Sequence, residues 1–216
     1  MTRRASSRRA GEPRARSRGS LRPGGVAGYS LVELLVVVGI IVALITAAVP
    51  TLDRAAETAD AAAAARYLAA VVGRARLDAV RRQRTVAVRF SRATPPAFSV
   101  VVDGDGDGVN AADIAAGVDR LARADDRIED HFPRARFGIG GPVPGIDDAR
   151  LLTAGDDPVR FGVGDAISLT PTGTATSGTA YLTSRAGVQF AVRLSGVTGR
   201  TRVLRYDHGR ASWRTY

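Results

Sequence analysis

Hydrophobic and polar positions divide the chain into three regimes. Between Tyr29 and Val49 the only charged residue is Glu33. At 1.5 Å per residue a helix of about 21 residues reaches across a bilayer's hydrocarbon core. From Asp53 to Arg82 the sequence is rich in Ala, with Tyr67, Leu68, Val71, Val72, Leu77 and Val80 recurring at helical spacing. One long helix is therefore predicted from Tyr29 to about Arg82, apolar all round in its first half and amphipathic in its second. The period then falls from 3.6 to 2. Residues 85–90 and 97–102 read as two strands around the turn at Pro95-Pro96. Residues 103–157 read as a Gly- and Asp-rich insertion with a short helical turn near Asp125–Asp130, long for a loop. Strands resume at 159–163, 166–170, 179–183, 188–194, 201–206 and 211–214, with turns at Pro171-Thr172-Gly173, Arg185-Ala186-Gly187, Gly196 to Gly199 and Asp207-His208-Gly209. The fold class is α+β: a long N-terminal helix followed by a C-terminal antiparallel β-sheet domain.

The start of the apolar run carries the most specific chemistry, Gly28-Tyr29-Ser30-Leu31-Val32-Glu33-Leu34-Leu35. A carboxylate costs roughly 2.5–3.5 kcal/mol at the centre of a membrane helix and less near the interface, so Glu33 needs a partner. This stretch resembles the class III signal of type IV pilins and of the pseudopilins of type II secretion. The resemblance implies that a prepilin peptidase cuts between Gly28 and Tyr29 and methylates the Tyr29 amine. Glu33 then becomes the fifth mature residue, and Pro50 stands at the twenty-second, where pilins carry a helix-kinking proline. It also implies that Glu33 meets the freed Tyr29 amine of a neighbouring subunit and so sets filament register. On the residues alone, an ordinary single-pass anchor remains the alternative. A secretory signal peptide fits less well, because its apolar region is about 7–15 residues and no A-x-A site follows.

Further along, an Arg-rich helix end leads into Thr85-Val86-Ala87-Val88-Arg89-Phe90. Later come Ile167-Ser168-Leu169-Thr170-Pro171-Thr172-Gly173, Gly178-Thr179-Ala180-Tyr181-Leu182 and Gly199-Arg200-Thr201-Arg202-Val203. This order resembles minor pseudopilins of the GspH/FimT family, over most of residues 28–216 and least in the insertion. The resemblance implies a pilin-like fold. Its parts are a basic leader (1–28), a transmembrane helix with the methylation motif (29–50), the amphipathic half of the helix (51–84) and a periplasmic β-rich domain (85–216) with the acidic insertion 103–157. The implied function is that of a pseudopilin assembled into a periplasmic pseudopilus supporting protein export. Its partners would be prepilin peptidase, other pseudopilins through helix packing, and the inner membrane. The alternative is a minor type IV pilin that binds DNA during uptake.

Composition narrows this picture. Cysteine and lysine are both absent, and all 31 basic residues are Arg. Disulfides, thiolate chemistry, a P-loop lysine and Schiff-base chemistry are thereby excluded. The net charge of +10 is unevenly spread: residues 1–28 hold eight Arg against Glu12 alone. By the positive-inside rule this places the N-terminus in the cytoplasm and the domain after Pro50 outside, a single pass, and the resemblance implies that the membrane is the inner one. Its Pro, Gly and Ser content predicts no packed structure for the leader. Residues 103–157 carry thirteen acids against six Arg, and residues 158–216 eight Arg against two acids.

Two candidate sites remain. Asp103, Asp105 and Asp107 with Gly108 follow positions 1, 3, 5 and 6 of an EF-hand-like calcium loop. Position 12 is Ile114, and the closing acid, Asp113, falls at 11, so calcium would need a loop one residue short. A solvated pair of Asp-Gly turns is the plain alternative. Arg200 and Arg202 match a Gly-Arg-x-Arg pattern that contacts DNA in the uptake branch of the family. Arg205, Arg210, Arg214, Trp213 and Tyr216 lie nearby in sequence. Alternate arginines on a strand are also an ordinary solvent face. His131 and His208 are isolated, and no G-x-S-x-G, H-E-x-x-H or G-x-G-x-x-G is present. An enzyme is not expected, and no cofactor other than calcium.

Overall fold

The computed structural model describes residues 28–91, 93, 95–162 and 164–216, without the side chain of Ala47. The leader up to Ala27, and Val163 at the end of the strand expected at 159–163, lie outside the described residues. The chain divides into two compact units, residues 1–44 and 45–216.

A single helix, α1 (Leu31–Arg82), contains both Gly39 and Pro50. Ser30 starts it: its Oγ accepts the Glu33 backbone N–H at 3.1 Å, which satisfies one of the donors orphaned at a helix N-terminus. The N-terminal part of α1 is long and apolar enough to cross a membrane, with a mean hydropathy of 2.8 over 18 residues and none of that stretch buried. The helix ends where Gln83 turns into the left-handed region (φ 52°) and its side chain donates to Val80 O at 2.8 Å. Arg81 and Arg82 sit in the last turn, where the macrodipole favours cations.

The second unit then adds β1 (Val86–Phe90), β2 (Phe98–Val102), α2 (Ala111–Ala116), β3 (Arg120–Asp126), α3 (Ile128–His131), β4 (Ala135–Phe137), β5 (Val143–Pro144), β6 (Leu151–Leu152) and β7 (Val159–Phe161). It finishes with β8 (Ala166–Leu169), β9 (Gly178–Ser184), β10 (Gln189–Ser195), β11 (Arg200–Asp207) and β12 (Ser212–Thr215). One antiparallel sheet has the order β3-β2-β1-β8. A larger one runs β12-β11-β10-β9-β4, with β7 also pairing β9, and β5 and β6 form a separate two-stranded ribbon. Along its outer edge β9 pairs β4 at Leu182–Ser184 and β7 at Gly178–Ala180. The α+β class expected from the periodicity is the one observed.

Both sheets close on the same face of α1. Ala61, Ala64, Ala65, Leu68, Val71, Val72, Ala75 and Ala79 follow the i, i+3/i+4, i+7 rule and are buried. Against them pack Val86, Val88 and Phe98 from one sheet and Phe161, Leu182, Phe190 and Val192 from the other. Leu77 and Val80, expected on this face, are 57% and 42% exposed. At 100° per residue Leu77 lies roughly 180° around the helix from Leu68, so the stripe passes it by. A second core covers the opposite face of the larger sheet, where the β5–β6 hairpin brings Val143 and Leu152 onto Tyr181, Ala191 and Tyr206. Every residue of β9 is therefore buried.

The acidic stretch 103–157, read from the sequence as a loop with one helical turn, supplies β3 to β6 and the short helices α2 and α3. Of these elements α2 and β3 bury no residue and the others only one or two apolar ones, such as Ile128, Phe137 and Leu152, too few to show a period. Within it, Glu129 Oε2 is buried with no hydrogen-bond partner among the described residues. Burial pushes its carboxyl above the usual range, with the charge of Asp130 adding to it and the residue's own backbone N–H opposing. A raised carboxyl stabilises the fold below its ordinary pKa and loses that contribution as pH rises through the folded value. Glu129→Gln is thus expected to raise the thermal midpoint at pH 7 by the equivalent of about 0.5–1 kcal/mol, solvent screening included, and to leave it unchanged at pH 3. Equal shifts at both pH values would contradict this.

Candidate functional site

Three groups of residues singled out by sequence can be placed. The first is at the N-terminal end of α1. Tyr29, Glu33, Leu34 and Val37 line one shallow, mostly apolar depression there. Tyr29 is 83% exposed, and the side chains of Leu31, Val32, Leu34 and Leu35 are all uncovered. Glu33 falls at the third position of the helix, and with Ser30 it forms an S-x-x-E pattern of which the Ser30 half is made. An acid in the first turn also suits the helix dipole. Pro50 lies within α1, where it lacks the N–H that would continue the ladder.

The second group is the Asp-Gly loop after β2. Asp103 is 3% exposed, and both of its oxygens hold the loop: Oδ1 accepts from Gly106 N at 2.7 Å and Oδ2 from Gly108 N at 3.1 Å. Asp119, equally buried, closes the other side by accepting from Gly104 N and Asn110 N, both at 3.0 Å. Gly104 is required here, because a Cβ would lie 1.9 Å from Val118 O. Asn110 caps α2: its Oδ1 accepts from Asp113 N at 3.0 Å, and its Nδ2 donates to the Asp113 carboxylate. Arg84, just past α1, donates to Gly104 O at 3.1 Å.

Carboxylate oxygens of Asp105, Asp107 and Asp113 gather within 4.8 Å of one another, as do those of Asp103, Asp105 and Asp119. Those are the residues that could hold a divalent cation, although Asp103 and Asp119 already direct their oxygens at backbone N–H groups. The charge of Asp105 beside it pushes the Asp107 carboxyl up, with burial, Asp113 and Asp103 adding. Sequence reasoning missed Asp119. Sixteen residues separate it from Asp103, and no spacing rule links two acids across a short helix.

The third group is on the larger sheet. Arg200 and Arg202 share one face of β11 and are exposed; Arg202 stands directly opposite Arg193 of β10. Arg193 is drawn off by Asp147 at 3.2 Å. Trp213, expected to be free for stacking, packs against Tyr181 and Tyr206 and donates from Nε1 to Pro144 O at 2.7 Å. The β5–β6 hairpin thus removes it from the surface chemistry that the sequence suggested. Arg205 points to the other face, opposite Arg214 of β12. The arginines read as one cluster in sequence are split by the strand's alternation between two faces.

Isolated in sequence, His131 is not isolated in the fold. Its Nε2 lies 2.8 Å from Asp126 Oδ1, while Asp126 Oδ2 accepts from the Tyr67 hydroxyl at 2.6 Å and pairs with Arg123 at 2.7 Å. This network ties β3 and α3 to α1.

Comparison with protein-family models, with curated proteins and with solved structures found no match to this chain.

Proposed function

We propose that this chain is a minor pseudopilin of type II secretion, processed after Gly28 and assembled through α1 into a periplasmic pseudopilus. One observation carries the reading. The Gly28-Tyr29 step and Glu33 stand at the mouth of a single 52-residue helix whose first part is apolar and uncovered and whose later part holds an α+β domain. A helix of that composition keeps the subunit in the inner membrane before assembly. During assembly the same apolar surface packs against neighbouring helices, and Glu33 meets a freed Tyr29 amine in a medium where an unpaired carboxylate is costly. The domain from Val86 onward remains outside as a recognition surface. Arg200 and Arg202 alone give the DNA-capturing alternative no stacking platform, because Trp213 is engaged beneath the β5–β6 hairpin.

The test is the intact mass and N-terminal residue of the membrane-fraction protein, with and without prepilin peptidase. A chain beginning at methylated Tyr29 only when the peptidase is present is the expected result. A chain still beginning at Met1, or one cut near Ala48, would withdraw the filament mechanism.

A further inference from the structure

At the far end of β11 and β12 lies an open groove of about 540 Å³, lined by Arg205, Asp207, His208, Arg214 and Tyr216 among others. Its two walls put like charges face to face, since Arg205 and Arg214 are cross-strand partners, an arrangement that costs stability unless an anion lies between or beside them. Asp207 is the carboxylate among the lining side chains, and it is shared by Arg210 at 3.2 Å and Arg214 at 3.7 Å. Among the described residues Arg205 makes no ion pair. A further arginine arrives from α1: the Arg66 guanidinium lies 4.9 Å over the Tyr216 ring. The groove is thus built to take carboxylates or phosphates.

The Tyr216 ring carries Arg66 on one face and meets Phe190 in a T-shaped contact, which leaves it poorly placed to stack on a base. Arginine forks match carboxylates as well as phosphates, and without a base-stacking platform the carboxylate is the ligand that a protein surface supplies. The chain itself presents a matching acidic segment, the Asp103–Gly108 loop, with Asp105 and Asp107 exposed. That loop is fixed by Asp103, Asp119 and Arg84 at the end of α1, whereas the groove sits beside Arg66. From residue 66 to residue 82 the helix rises about 24 Å, so the loop cannot fold back onto its own groove.

We propose that the groove receives the Asp103–Gly108 loop of a second copy of this chain, in a head-to-tail contact. Such a contact is heterologous: a pair of copies leaves one groove and one loop unsatisfied, and repetition builds a ring or a filament. It requires neither the cut after Gly28 nor Glu33, and so goes beyond the pseudopilin reading.

Because the chain has no cysteine, single cysteines test it cleanly. Two differently tagged full-length copies are placed in one membrane, one carrying Ala111→Cys just past the loop and the other Gly209→Cys at the groove. They are treated with a short bismaleimide cross-linker in the presence of a chelator. A mixed dimer is expected, its yield falling at least ten-fold when the groove copy also carries Arg205→Glu/Arg214→Glu. Recovery of at least half the yield is expected when the loop copy then carries Asp107→Arg. No mixed dimer, or one indifferent to charge reversal, overturns the proposal. So does retention of a fluorescent oligothymidylate that depends on Arg205 and Arg214 while no dimer forms. An uncut chain that cross-links would keep this contact and sink the pilin reading; a processed chain that fails to cross-link would do the reverse.

Discussion

Phe161→Ala is expected to cost about 3–5 kcal/mol of unfolding free energy, the range for emptying a fully buried aromatic position. Phe161 is 1% exposed and lies parallel to Phe90, with ring centroids 5.9 Å apart and planes 6° from parallel. Two features keep the resulting cavity from closing. β7 is only three residues long and is held to β9 at Val159–Phe161, so its backbone cannot slide without losing that pairing. Gly178 opposite is packed so tightly that a Cβ there would lie 2.2 Å from Arg160 O, leaving nothing to move in from that side. Urea unfolding of the full chain in detergent, followed by Trp213 fluorescence, should show a lowered midpoint with an unchanged slope. A loss below about 1 kcal/mol would mean that β7 does not seal the core where the aromatic rings meet.

The sequence told most where burial repeats. α1 spans 52 residues, and the strands from β8 onward alternate or run apolar for four to eight residues, so their period was legible to within one or two positions. β11 and β12 each began within a residue of expectation. The acidic stretch was not legible, because its burial is spread singly over Ile128, Phe137, Val143 and Leu152 in elements of two to seven residues. What holds it is polar and long-range, as between Trp213 and Pro144 or Arg193 and Asp147, and no local pattern announces a partner 69 or 46 residues away. The candidate sites divide in the same way. The helix start with Gly28, Tyr29 and Glu33 is a contiguous motif and could be read directly. The pairing of Asp103 with Asp119 needed the fold, whereas the separation of Arg205 from Arg202 onto opposite faces follows from the alternation of a strand expected at 201–206.

Asp126→Asn is expected to lower stability at pH 7 by about 2 kcal/mol and to loosen the acidic stretch selectively. The Asp126 side chain is 10% exposed and serves three partners. Its Oδ2 accepts from Tyr67 and pairs with Arg123, and its Oδ1 faces His131. Hydrogen bonds to a charged acceptor contribute about 1.5–3 kcal/mol, and an amide in its place leaves Arg123 without a counter-charge. Tyr67→Phe, which removes the bond to Asp126 and the one the hydroxyl accepts from Arg123 but keeps the ring against Phe98 and Phe132, should cost about 1.5–2 kcal/mol.

Burial pushes the Asp126 carboxyl up, but the hydrogen bonds from Tyr67 and His131 and the charge of Arg123 outweigh it and hold the group below its ordinary value. A depressed carboxyl stabilises the fold above its unfolded pKa, about 3.9, and loses that contribution as pH falls through the lower folded value. The deficit of Asp126→Asn should therefore persist from pH 7 down to about pH 4 and shrink below it. Because the network joins α1 to β3 and α3, the same variant should speed amide hydrogen exchange at Arg120–His131 while leaving β9 and β10 protected. A uniform rise in exchange across both sheets would make Asp126 a general support of the core and not the tie that holds the acidic stretch in place.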